Sequence, residues 1–169
     1  MKAAVRNAMA IAAVMTGPAG VFAEGVAKIE TLGAWSLYAD SASPHAFCFV
    51  TSEPTAKAPE GATREAPRMY ISTWPKDGVK AEVSIRAGFP VKANEPATAR
   101  VGDVTFNLFS SETRLYVKDE TAELKLIEAM KKGADLTAEI TSERGTKITD
   151  TYSLTGLGQA LGKLQQTCR

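Results

Sequence analysis

The sequence predicts a mainly β fold, an antiparallel β-sandwich or flattened barrel with two short helices, the second at the C-terminus. Three observations lead there. Apolar and polar residues alternate with a period of two over most of the chain, two segments show a helical period, and turn residues separate these stretches.

The alternation is clearest in "VKAEVSIRA", where Val79, Ala81, Val83, Ile85 and Ala87 share one face. Lys80, Glu82, Ser84 and Arg86 share the other. "VTFNL" repeats the pattern with Val104, Phe106 and Leu108, and "DLTAEIT" with Leu136, Ala138 and Ile140. Half-buried antiparallel strands read this way, whereas parallel strands covered on both faces are uniformly apolar. Trp35–Ala39, Phe47–Thr51 and Met69–Trp74 fit further strands, for a total of about eight or nine. Val101-Gly102-Asp103 reads as a tight hairpin turn. Ser52–Pro67, with Pro54, Pro59 and Pro67, reads as a long exposed loop.

The first helix is expected over Asp119–Lys132, with Leu124, Ile127 and Met130 on one face. Acids open it and Lys131, Lys132 and Gly133 close it. The second follows Thr155, which is placed to cap it. Its stripe is Leu157, Ala160, Leu161 and Leu164, continued by Cys168.

Residues 1–23 predict a secretory signal peptide, with Lys2 and Arg6 ahead of the apolar run Ala8–Met15. Val21-Phe22-Ala23 supplies small residues at cleavage spacing, so the mature chain is a single β-domain over 24–169. The apolar run is too short to span a bilayer. Cleavage near Ala23 leaves 18 Lys and Arg against 19 Asp and Glu, a net charge of −1. That balance argues against a nucleic-acid partner, which calls for a basic face. The expected location is periplasmic, outer-membrane-associated or secreted, with no transmembrane segment in the mature protein.

"TDTYSLTGLGQALG", residues 149–162, resembles part of a dinucleotide-binding fingerprint. The motif requires Gly-x-Gly-x-x-Gly/Ala, but Leu161 holds the third small position and Gly162 comes one residue late. No acidic residue can follow about twenty positions on, because the chain ends at Arg169. The glycines therefore read as packing devices: Gly156 turns the chain, and Gly158 and Gly162 let the helix sit close against the sheet. No cofactor is implied. A metal site is not expected either, since His45 is the single histidine and no Cys-x-x-Cys is present.

Candidate site residues are few. Cys48 and Cys168 are the only cysteines, and export favours an intramolecular disulfide over free thiols or an intermolecular bond. Asp150 shares a strand face with Ile148, Tyr152 and Leu154, so alternation buries it. A buried carboxylate calls for backbone amides or an arginine such as Arg144 or Arg86; a bulge turning it outward and a catalytic role are the alternatives. Trp74, at a strand end before Pro75, is either a partner anchor or second-layer core. A hydrolase triad would have to use His45, and neither Gly-x-Ser-x-Gly nor Ser-x-x-Lys occurs.

The C-terminal segment "RGTKITDTYSLTGLGQALGKLQQTC", residues 144–168, resembles the closing signature of the invasion associated locus B family. "CFVTSEP" (48–54), "EVSIRAGFPVK" (82–92), "FNLF" (106–109) and "LIEAMKKGADL" (126–136) resemble other blocks of that family in the same order. The resemblance covers residues 34–168. It implies an exported cell-envelope protein of Gram-negative bacteria, mainly alphaproteobacteria, in a family named for a virulence-associated member linked to host-cell entry. Many relatives carry another cysteine after the first tryptophan, where this chain has Ser36-Leu37-Tyr38. Leu157 stands where a phenylalanine is common.

Two functional readings follow. The first is a non-catalytic binding protein, monomeric or weakly oligomeric, whose partner is an envelope or host protein or glycan. The second is an envelope hydrolase or lyase using carboxylates. A pocket holding acids with shifted pKa values would favour the second, and an exposed apolar patch without one the first.

Overall fold

The computed structural model describes residues 25–169. The expected signal peptide and its cleavage site at Ala23 lie outside the described residues.

Among the described residues, eleven strands form one antiparallel sheet. In chain order they are β1 (Val26–Leu32), β2 (Trp35–Asp40), β3 (Cys48–Ser52), β4 (Ala56–Ala58), β5 (Arg68–Trp74) and β6 (Val79–Arg86). β7 (Ala97–Val101), β8 (Val104–Ser111), β9 (Arg114–Val117), β10 (Asp135–Thr141) and β11 (Lys147–Ser153) complete it. Their order across the sheet is β1-β2-β3-β5-β6-β9-β8-β7-β10-β11-β4. Two helices cover the interior, α1 (Glu120–Lys132) and α2 (Leu157–Thr167).

The sheet curls without closing into a barrel. Its flanks meet through Ala34 N–H, which donates to Thr155 O at 3.0 Å, and Trp35 Nε1–H, which donates to Ser153 O at 3.2 Å. Two glycines permit this approach. Gly33 and Gly156 have φ of 60° and 86°, and a Cβ on Gly156 would lie 2.3 Å from Leu32 O. The seam is then covered by α2, which packs on β1, β2 and β3. Leu157, Ala160, Leu161 and Leu164 are all buried beneath it. Each leucine so removed from water contributes about 1.5–3 kcal/mol.

Most inward residues of the expected strands are in the core: Val83 and Ile85, Leu136, Ala138 and Ile140, Leu37, Val50 and Ile71. In "VTFNL" only Leu108 is buried; Phe106 is half-buried and Val104, beside the hairpin turn, is 52% exposed. The β7–β8 hairpin turns through Gly102-Asp103, with Val101 paired to Val104.

Several expectations change. β4 and all of β1 except its last residue, Leu32, are exposed, so burial imposed no alternation on their sequences. The expected loop Ser52–Pro67 contains β4, which pairs with β11. Leu124 faces outward, and α1 buries Leu126, Ile127 and Met130. Gly156, in the left-handed region, rather than Thr155 occupies the N-cap of α2. A Cβ on Gly158 or Gly162 would meet nothing within 4 Å, so neither glycine serves close packing.

Candidate functional site

Cys48 and Cys168 are bonded, with Cα atoms 6.0 Å apart and a sequence separation of 120. The bond joins β3 to the end of α2. Because Cys48 points inward, its neighbours Phe47 and Phe49 point out of the sheet's other face.

That outer face gathers rings from adjacent strands. Tyr38 is paired across the ladder with Phe49, and their rings stack at 5.0 Å. Phe47 lies 5.3 Å from Phe49 and 4.8 Å from Trp74, and Phe49 lies 5.7 Å from Tyr70. All five rings are half-buried, since each shields its neighbours while remaining open to solvent on its outer side. Trp74 is thus a member of an outward aromatic cluster, on the side of β5 opposite Met69 and Ile71.

Three arginines border the cluster. Arg68 on β5 pairs with Arg86 on β6, which pairs with Arg114 on β9. Like charges directly opposite on a sheet oppose folding by a few tenths of a kcal/mol or more. Arg68 is compensated by an ion pair with Glu53. Arg86 donates to Ala66 O from Nε at 3.1 Å and from NH2 at 2.7 Å. Arg114 lies over the Tyr70 ring at 5.2 Å and donates to Ser84 Oγ at 3.4 Å. Arg86 and Arg114 have no carboxylate partner among the described residues. A face of Trp, Tyr and Arg side chains has the composition found at the energetic centre of protein interfaces.

Asp150 is fully buried on β11, as alternation requires. Its partner is Arg64, whose guanidinium donates from NH1 at 2.9 Å and from NH2 at 2.5 Å. The arginines expected for this role do not supply it. Arg144 is exposed at the rim of a cavity of about 680 Å³ that Arg64 also lines, and Arg86 is engaged with Ala66. Sequence reasoning missed Arg64 because it lies in an irregular loop, where periodicity assigns no facing. Glu65 N–H donates to Gly88 O and holds that loop across the sheet. Beside the pair, Tyr152 is buried, and burial followed by the Asp150 charge pushes its hydroxyl well above the usual tyrosine range.

His45 Nδ1 lies 3.2 Å from Asp40 Oδ1, a partly exposed contact that ties the β2–β3 loop. Among the described residues no hydroxyl or thiol is hydrogen-bonded to His45, and they include no cluster of three or more metal-ligating side chains. Acids gather instead where α1 begins: Asp119, Glu120 and Glu123 face Glu82 across a groove of about 450 Å³. Partial burial raises Glu123 above the usual carboxylate range, Val83 N–H, donating at 2.5 Å, lowers it, and Glu82 and Glu120 raise it further. This carboxylate therefore holds a backbone amide. No helix among the described residues is long and apolar enough to cross a membrane.

Comparison with known proteins bears on the fold and the family. No curated protein matches the chain. The crystal structure of invasion associated protein B from Bartonella henselae superposes with a TM-score of 0.59 at 19% identity. The match covers 81% of this chain and 95% of that one. The family model described as invasion associated locus B protein matches residues 35–165. The chain belongs to the invasion associated locus B family.

Proposed function

We propose that the mature chain, a single domain over 24–169 released by cleavage near Ala23, is an exported cell-envelope protein that acts by binding and not by catalysis. The observation that carries this reading is the outward cluster of Tyr38, Phe47, Phe49, Tyr70 and Trp74 with Arg114 beside it. Such side chains bury large area at low cost in conformational freedom, which suits a docking surface. Arg114 and Arg86 favour a partner with carboxylate or phosphate groups, from an envelope or host protein or glycan. The name of the Bartonella protein attaches invasion to that protein; for this chain we carry it over as the setting in which such a face would meet a host component.

Affinity capture from the native envelope tests the reading. It expects a partner retained through washing and no turnover of cell-wall glycan by the purified chain. Glycan turnover without a retained partner would replace binding with carboxylate catalysis.

A further inference from the structure

The acidic groove at the start of α1 coincides with an interruption of the sheet. β5 runs along one flank of β6 from Arg86 to Val79. On the other flank β9 pairs only with Ser84–Arg86, because the chain leaves the sheet after Val117 and enters α1 at its Asp119 cap. Among the described residues, the flank of β6 from Val79 to Val83 therefore has no neighbouring strand. Its first free amide, Val83 N–H, is taken by the Glu123 carboxylate, which stands where a ladder carbonyl would. Five residues of strand edge span about 17 Å.

The groove along this edge is apolar in its walls and acidic at its rim. Val79, Ala81, Phe109, Tyr116 and Leu124 line it, with Phe109 stacked on Tyr116 at 5.6 Å. Phe109 and Leu124 are 49% and 54% exposed. Of the described residues that line it, Glu82, Asp119, Glu120 and Glu123 are acidic and Lys80 is basic. Acids at a helix N-terminus are ordinary and account for three of these. They do not account for Glu82, which lies on β6, or for two large apolar side chains left open beside an unpaired edge.

We propose that this groove accepts an extended segment of a partner protein, alternating basic and apolar residues, which adds as a short strand beside Val79–Val83 of β6. The backbone of the segment pairs with the open edge, its apolar residues cover Phe109 and Leu124, and its basic residues meet the acidic rim. The site uses none of the residues of the aromatic cluster, so the two surfaces stand or fall separately.

The test is fluorescence anisotropy with a labelled, blocked peptide Lys-Val-Lys-Val-Lys. Saturable binding is expected, weakening as salt is raised, with no binding of Glu-Val-Glu-Val-Glu. N-methylation of alternate amides gives two further peptides, and one register should bind while the other does not, because successive amides point to opposite strand edges. Glu120→Lys and Phe109→Ser are exposed changes that leave the fold intact, checked by unchanged melting, and each should weaken binding by about tenfold. The proposal is overturned by no saturable binding up to about 1 mM. It is also overturned by equal binding of both N-methylated registers, or by unchanged affinity in the folded Glu120→Lys and Phe109→Ser variants.

Discussion

Replacing Arg64 by Met removes the guanidinium that neutralises Asp150 while keeping a side chain of similar length. The Asp150 carboxylate is 0% exposed and the Arg64 side chain 5%, so the charge left behind has no solvent contact in the native packing. Breaking a buried pair from one side costs roughly 3–5 kcal/mol, because a charge is left without compensation. A domain of this size has about 5–15 kcal/mol in all, so the loss is a large fraction. Some packing goes too, since the guanidinium lies over the Phe89 ring at 5.8 Å. Asp150→Leu should cost less, because Arg64 lies on a loop beside an open cavity and can turn toward solvent. The double variant should recover much of the loss, as when an ion pair gives way to apolar groups of similar volume. Urea denaturation of the four proteins at neutral pH gives the coupling energy directly. A cost below about 1 kcal/mol for Arg64→Met, or single losses that simply add, would refute the reasoning.

Three further outcomes are expected. Replacing Cys48 and Cys168 by Ala should lower stability by up to about 4–5 kcal/mol, because the bond closes a 120-residue separation; hydrogen exchange should show α2 opening first, and unchanged protection there would contradict this. Tyr152→Phe should be neutral or stabilising, since the buried hydroxyl has no hydrogen-bond partner among the described residues and such groups cost about 1–3 kcal/mol; a loss above about 1 kcal/mol in urea denaturation would contradict it. Glu123→Gln tests the raised carboxyl: the folded state holds its proton more tightly than the unfolded, so the wild-type penalty is full above the folded pKa and gone below the ordinary glutamate value of 4.5. The melting advantage of Gln should therefore be largest near pH 7 and shrink as pH falls through the raised pKa; a pH-independent difference would contradict it.

Strands buried on one face were legible because burial writes an alternation into sequence, as in Val83, Ile85 and Ala87. β1 and β4 were not, since an edge strand whose residues are almost all exposed obeys no such constraint. The same limit hid Arg64. Asp150 could be placed inside from its strand neighbours, but its partner arrives from an irregular loop 86 residues away in sequence. Phe47 and Phe49 carried an unused signal. If Cys48 points inward, both rings must point out, and Tyr38 and Trp74 then complete a cluster on the same face. The glycines of the C-terminal segment misled in the other direction: Gly156 serves close approach, while Gly158 and Gly162 face open space.

The central claim is that the aromatic face binds a partner. The direct measurement is quantitative capture from native envelopes with wild type and a Trp74→Ser, Arg114→Glu double variant, alongside thermal melting of each. Trp74 is half-buried and stacked on Phe47, so its loss should cost only about 1 kcal/mol and leave the variant folded. The account expects a partner enriched by wild type and lost from the folded double variant. Equal enrichment by both, or melting lowered to the extent expected of a core tryptophan (about 3–5 kcal/mol), would contradict it.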